Sequence, residues 1–160
     1  MFYSMLNLHI RKLKKSDVVL GLGDFNTETG TRRVSLETVL GPRGSGTYND
    51  NSERLLNFCF DLDLYVAGSW FQRRSVRRVA WFSSDGVTAK EIDYVLVSTR
   101  WTVLENCHVC HSLEFSTDHC PVIASLALKM RRSIVKTCSQ NFCYNKRKLN
   151  DLEIESQYSV

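Results

Sequence analysis

Val18-Val19-Leu20-Gly21-Leu22-Gly23-Asp24-Phe25-Asn26 is a short apolar run that ends in a carboxylate and an amide two residues apart. Such a run predicts a buried strand. Side chains on a strand alternate, so Asp24 and Asn26 would leave one side and Phe25 the other, bringing two polar groups to one ligand. Gly21 and Gly23 weaken a strand interior and suit a place where a ligand or a second backbone comes close. The same residues also fit a strand followed by an Asx turn, which Asp and Asn favour with no ligand at all.

Two later stretches bear on that choice. In Ile92-Asp93-Tyr94-Val95-Leu96-Val97-Ser98, strand periodicity puts Ile92, Tyr94 and Leu96 on one face and Asp93 with Val95 and Val97 on the other. An ionised carboxylate on an apolar face needs a partner. Ser116-Thr117-Asp118-His119-Cys120-Pro121 supplies an acid and an imidazole just ahead of another apolar run, Val122 to Leu128. A buried ion pair joining two strands is the structural alternative for Asp93 and His119.

Taken in order, Gly23-Asp24-Phe25-Asn26, Ile92-Asp93-Tyr94 and Thr117-Asp118-His119 resemble the endonuclease/exonuclease/phosphatase superfamily. Between them stand Gly41-Pro42-Arg43-Gly44-Ser45-Gly46, Asn51-Ser52-Glu53-Arg54-Leu55-Leu56-Asn57-Phe58-Cys59, Trp81, Asp85-Gly86 and Arg100-Trp101. That succession is similar to the apurinic-type endonuclease domain of non-LTR (LINE) retrotransposons, in the branch of craniofacial development protein-like copies. The likeness runs from about Asp17 to Leu128, and more loosely through Lys148-Leu149-Asn150-Asp151.

The resemblance implies an α/β fold: the C-terminal half of the superfamily's four-layer sandwich, a mostly antiparallel sheet with helices on one face. It implies a truncated endonuclease domain over 1–130 and a polar linker or tail over 131–160. The implied reaction is Mg²⁺-dependent hydrolysis of a DNA phosphodiester. Asp24 would orient or deprotonate the attacking water, Asn26 would donate to a phosphate oxygen, Asp93 would hold His119 as an imidazolium, and Asp118 would lie near the Mg²⁺. Arg43, Arg73, Arg74 and Trp81 would meet DNA. In the superfamily a first half with its own metal-binding Glu precedes the Gly-Asp-x-Asn strand. Only 23 residues precede Asp24 here, so the expectation is weak Mg²⁺ binding and little or no nuclease activity from this chain alone. The alternative is a non-catalytic remnant, or a nucleic-acid or protein interaction module that keeps the fold.

Composition sets wider bounds. Over 160 residues, 43% hydrophobic and 24% charged, the chain has the make-up of an ordinary folded domain rather than a disordered one. A net charge of +4 suits a polyanionic partner without requiring one. No apolar run approaches the roughly 20 residues of a membrane span, and Asn7, His9 and Arg11 interrupt Met1 to Leu13 where a signal peptide would be apolar. An intracellular setting is expected, the nucleus ahead of the cytoplasm, with the six cysteines as free thiols. Cys107-His108-Val109-Cys110-His111 has zinc-like spacings, but on a strand Cys107 and Cys110 would point to opposite faces, and turn residues of a zinc knuckle are missing.

The remaining elements follow from periodicity. Phe2, Leu6, Ile10 and Leu13 predict an amphipathic helix over Met1 to Lys15. Thr27 to Asp50 reads as a long surface loop carrying Arg32, Arg33 and Arg43. Asn51 is expected to cap a helix from Ser52 to about Leu62 with Leu55, Leu56, Cys59 and Phe60 inward. Leu64 to Ala67 is a strand, and Arg73, Arg74, Arg77 and Arg78 crowd the approach to Val79-Ala80-Trp81-Phe82, a mixture that suits phosphate and stacked bases or simply a solvated hairpin end. The Asp85-Gly86 turn is expected to make Trp81-Phe82 and Ile92 to Val97 antiparallel neighbours, with Trp101 to Cys110 and Pro121 to Leu128 extending the sheet.

Overall fold

A computed structural model describes residues 2–100, 103–113 and 116–128; Trp101, the 131–160 tail and its Cys138 and Cys143 lie outside the described residues. Met1–Leu128 forms one compact unit of α/β type with antiparallel sheets and few helices. Its centre is a three-stranded sheet in the order β1 (Leu20–Asp24), β5 (Asp93–Ser98), β2 (Leu64–Val66). Both neighbours run antiparallel to β5, with Leu20 opposite Val97, Asp24 opposite Asp93 and Val66 opposite Leu96.

The alternation along β5 works as the sequence suggests, and it builds a core on each side. Tyr94 and Leu96 pack with Leu55, Leu56, Phe58 and Cys59 of helix α2 (Asp50–Asp61). Val95 and Val97 face the other way, onto Cys107, Val122, Ala124 and Leu126 of the hairpin β6 (Leu104–Val109) and β7 (Val122–Leu126). Helices therefore cover one face. The other is covered, opposite β5, by strands that pair with each other as a separate two-stranded sheet rather than lengthening the central one. The buried strand expected of Val18 to Asn26 is instead an exposed edge strand: among the described residues β1 has only β5 beside it, and Leu20 and Leu22, opposite Val97 and Val95, are 38% and 68% exposed.

Several local expectations are corrected. The first helix, α1, spans Phe2–Ile10, and Tyr3, Leu6 and Ile10 make its packing stripe while Phe2 and Leu13 are exposed. The cap of α2 is Asn49, not Asn51: its side chain accepts from the Asn51 and Ser52 amides at 2.9 and 3.0 Å, and the Ser52 hydroxyl accepts from the Asn49 amide at 2.9 Å. That reciprocal box begins the helix two residues earlier. Consequently Ser52, Leu55, Leu56 and Cys59 line the buried side, and Phe60 points out.

The long loop is not merely a surface feature. Val39 and Leu40 are fully in the core, and Leu40 pairs in parallel with Val66. The Asp85-Gly86 turn also joins different partners from those expected: β3 (Trp81–Phe82) pairs with β4 (Ala89–Lys90), while β5 turns away to lie between β1 and β2. Gly86 takes φ +70°, the left-handed conformation that glycine enters freely.

Candidate functional site

The sheet delivers two acids to one end. Asp24 closes β1 and Asp93 opens β5, and the register sets them directly opposite. Like charges so placed repel. His119 offsets this: its Nδ1 lies 2.9 Å from Oδ2 of Asp93, with the side chains 30% and 18% exposed. Asp93 is the first cause holding the imidazole above its ordinary titration range, and Asp118 and Asp24 add to it.

His119 is fixed by its backbone as well as its ring. It bridges to Trp81, the Phe82 amide donates to the Asp118 carbonyl at 3.0 Å, and the Cys120 amide donates to the Ala80 carbonyl at 2.6 Å. The Thr117 hydroxyl accepts from the His119 amide at 3.2 Å. Thr117-Asp118-His119 is thus pinned along the edge of β3, with the ring carried to the sheet end. Because Asp93 takes Nδ1, Nε2 is the nitrogen available to a ligand.

Asn26 arrives by a different route from the one its spacing suggests. The strand stops at Asp24, Oδ1 of Asp24 accepts from the Asn26 amide at 2.7 Å, and Asn26 itself has φ +50°. This is an Asx turn, in the left-handed conformation Asn tolerates. Strand pleating does not align the two residues, yet the turn folds both into the wall of one open cavity of about 340 Å³. Its lining also includes Trp81 and His119, together with Thr27, Glu28, Asn49 and Lys90, which sequence reasoning missed. Buried Thr27 ties the turn to α2, its hydroxyl lying 3.2 Å from both Asn49 Oδ1 and Ser52 Oγ. The capping-box pattern was the available signal, because it marks where the loop must return.

Asp93, Asp118, Arg43, Arg73 and Arg74 are not among the residues that line this cavity. Asp118 is exposed and accepts from the Trp81 indole N–H at 2.7 Å, the first cause keeping its carboxyl below the usual range. Trp81 is therefore half-buried and tied at its polar edge. Arg43, Arg73 and Arg74 are exposed but do not line the cavity. Arg43 donates to Gln72 at 3.1 Å, and Arg73 bonds Asn106 and sits 5.6 Å above the Phe71 ring. Two neighbours have structural tasks: Arg33 donates to the Leu40 carbonyl at 2.8 Å, and Arg78 pairs with Glu91 at 2.7 Å, largely buried. Burial raises Glu91, and Arg78 opposes that shift.

Mg²⁺ takes about six oxygens in near-octahedral array, so its fit to these residues can be judged from the donors. Among the described residues no three His, Cys, Asp or Glu side chains gather to hold a metal ion. Asp118 lends one oxygen to Trp81, Asp24 one to Asn26, and Asp93 one to His119. The set does not fit a Mg²⁺ cage by itself.

Comparison with known proteins places the sequence. It is 30% identical over 131 residues to craniofacial development protein 2 of Tragulus javanicus, and 29% identical over 131 residues to that of Bos taurus. The chain is homologous to craniofacial development protein 2. The aligned part is 81% of this chain but 22% of the length of either relative, so the chain spans about a fifth of the craniofacial development proteins it matches. No protein-family model matches it. Among the described residues no helix is long and apolar enough to cross a membrane.

Proposed function

We propose that the cavity at the end of β1 and β5 is a phosphodiester site of the endonuclease/exonuclease/phosphatase kind, with DNA as the polymer. The observation that carries this is the Asp93–His119 pair at 2.9 Å, beside a cavity that Asp24 and Asn26 also line. The antiparallel sheet with its helices on one face is consistent with the second half of the sandwich that the resemblance implies. A protonated His119, its charge steadied by Asp93, stabilises the negative charge that grows on the phosphoryl oxygens during in-line attack. Asp24 accepts a proton from water, and the Asn26 amide donates to a non-bridging oxygen. Mg²⁺ in an intact relative would add Lewis-acid stabilisation; since no three metal-ligating side chains gather among the described residues, slow cleavage at best is expected of the 160 residues alone.

A second reading, a nucleic-acid-binding module without catalysis, is favoured by that same shortage of metal donors. Supercoiled plasmid with Mg²⁺ separates the two. Nicking that disappears in His119→Ala and falls in Asp24→Asn supports the enzyme. Plasmid binding without nicking, weakened by His119→Ala, supports the module. Nicking or binding indifferent to His119 refutes both.

A further inference from the structure

A second histidine pairs with a thiol beside the phosphodiester cavity. The Cys120 sulfur lies 3.3 Å from Nδ1 of His111, and Nε2 of the same ring meets the Val76 carbonyl oxygen. A carbonyl can only accept, so Nε2 carries the proton and Nδ1 is the basic nitrogen that receives the Cys120 S–H. Nucleophile, base and orienting group stand in series. The strand register explains the meeting: Val109 faces Val122, the Cys110 amide donates to the Pro121 carbonyl at 2.8 Å, and His111 then falls opposite Cys120. Phe82 holds the ring edge-on, with centroids 5.9 Å apart.

Cys120 also opens onto a cavity of about 320 Å³, with Leu22, Pro121, Val122 and His119 among its walls. A small reagent has room to approach the sulfur there. Other described thiols are differently placed. Burial pushes Cys59 up to about 12 and Cys107 up to about 11, which leaves both inert. Cys110 is held below the usual thiol range, first by the Ser112 hydroxyl at 3.1 Å, but has no base beside it, so it is the rival thiol that the test must separate from Cys120.

We propose that Cys120 is a site of thiol–disulfide exchange with low-molecular-weight disulfides, with His111 as its base. His111 Nδ1 takes the thiol proton and the Cys120 sulfur attacks one sulfur of RS–SR. The old S–S bond breaks as the new one forms, and RS⁻ leaves to collect the proton from His111 as RSH. Cys120 is oxidised, one RS unit is reduced, and the ring returns to its neutral form. Nothing in this step depends on the phosphodiester reading.

The test treats the 160-residue chain, in a Cys138→Ser/Cys143→Ser background, with oxidised glutathione and maps adducts by peptide mass. One adduct is expected, on Cys120, persisting in Cys110→Ser and absent in Cys120→Ser. A free thiol is already a few per cent thiolate at neutral pH, so His111→Gln is expected to slow the reaction by roughly tenfold, not by thousands. Glutathione on Cys110 with Cys120 bare overturns the proposal, as does a His111→Gln rate within about twofold of the parent. Should His111→Gln unfold, exposing Cys59 and Cys107 to the reagent, the Cys110→Ser protein decides: an unmodified Cys120 there refutes the site.

Discussion

Replacing Asp93 and His119 by alanine, singly and together, forms a double-mutant cycle that isolates the bond between them. Nitrogen and oxygen are 2.9 Å apart, and neither side chain is fully buried. With charge centres about 4 Å apart and an effective dielectric of about 40, between the values for water and a protein surface, Coulomb attraction is about 2 kcal/mol. Solvent screening and lost side-chain freedom leave about 1 kcal/mol of coupling while the imidazole is charged. The pH dependence follows from the raised pKa of His119. A group that binds its proton more tightly when folded contributes fully below the unfolded histidine value of about 6.5, and loses that contribution as pH rises through the folded value. Urea unfolding of the four proteins at about pH 5.5 and about pH 9 is the assay, with about 1 kcal/mol of coupling expected at the lower pH and half of that or less at the higher. Coupling near zero at the lower pH, or growing toward the higher, would refute the pairing as described.

Three other substitutions probe how the site is held in place. Asn49→Ala removes the acceptor for two α2 amides and is expected to cost about 1 to 2 kcal/mol in urea unfolding. Glu91→Gln leaves the largely buried Arg78 guanidinium without its counter-charge, and a loss of about 3 kcal/mol is expected from the same measurement. At Gly41 an added Cβ would sit 2.4 Å from the Ser69 carbonyl oxygen, so Gly41→Ala should lower the melting temperature through a loss of about 2 kcal/mol or more; an unchanged melting temperature would contradict the buried course of the loop.

Strand β5 was legible in the sequence because a two-residue period survives any packing arrangement: Tyr94 and Leu96 went to one core, Val95 and Val97 to the other. The partners of β3 were not legible, since a two-residue strand carries too little pattern to choose between β4 and β5. Val39 and Leu40 hid in a segment whose glycines and single proline read as turn, although an apolar pair there can still reach the core when the loop crosses the sheet edge. At the site, Asp93 and His119 meet through Oδ2 and Nδ1. Asn26 comes to the cavity through turn chemistry that strand spacing alone does not encode. Lys90 and Glu28 went unnoticed because neither stands in a motif; only tertiary folding brings them to that wall.

Nuclear magnetic resonance of the isotope-labelled chain, titrated with a short DNA duplex at low salt, tests the proposed phosphodiester site most directly. The His119 ring and the Asn26 amide are expected to shift together as DNA is added, and the His119 titration to move still higher in the bound state. If those signals stay fixed while only arginines outside the cavity respond, the cavity does not bind the phosphate, and the proposed chemistry has no substrate.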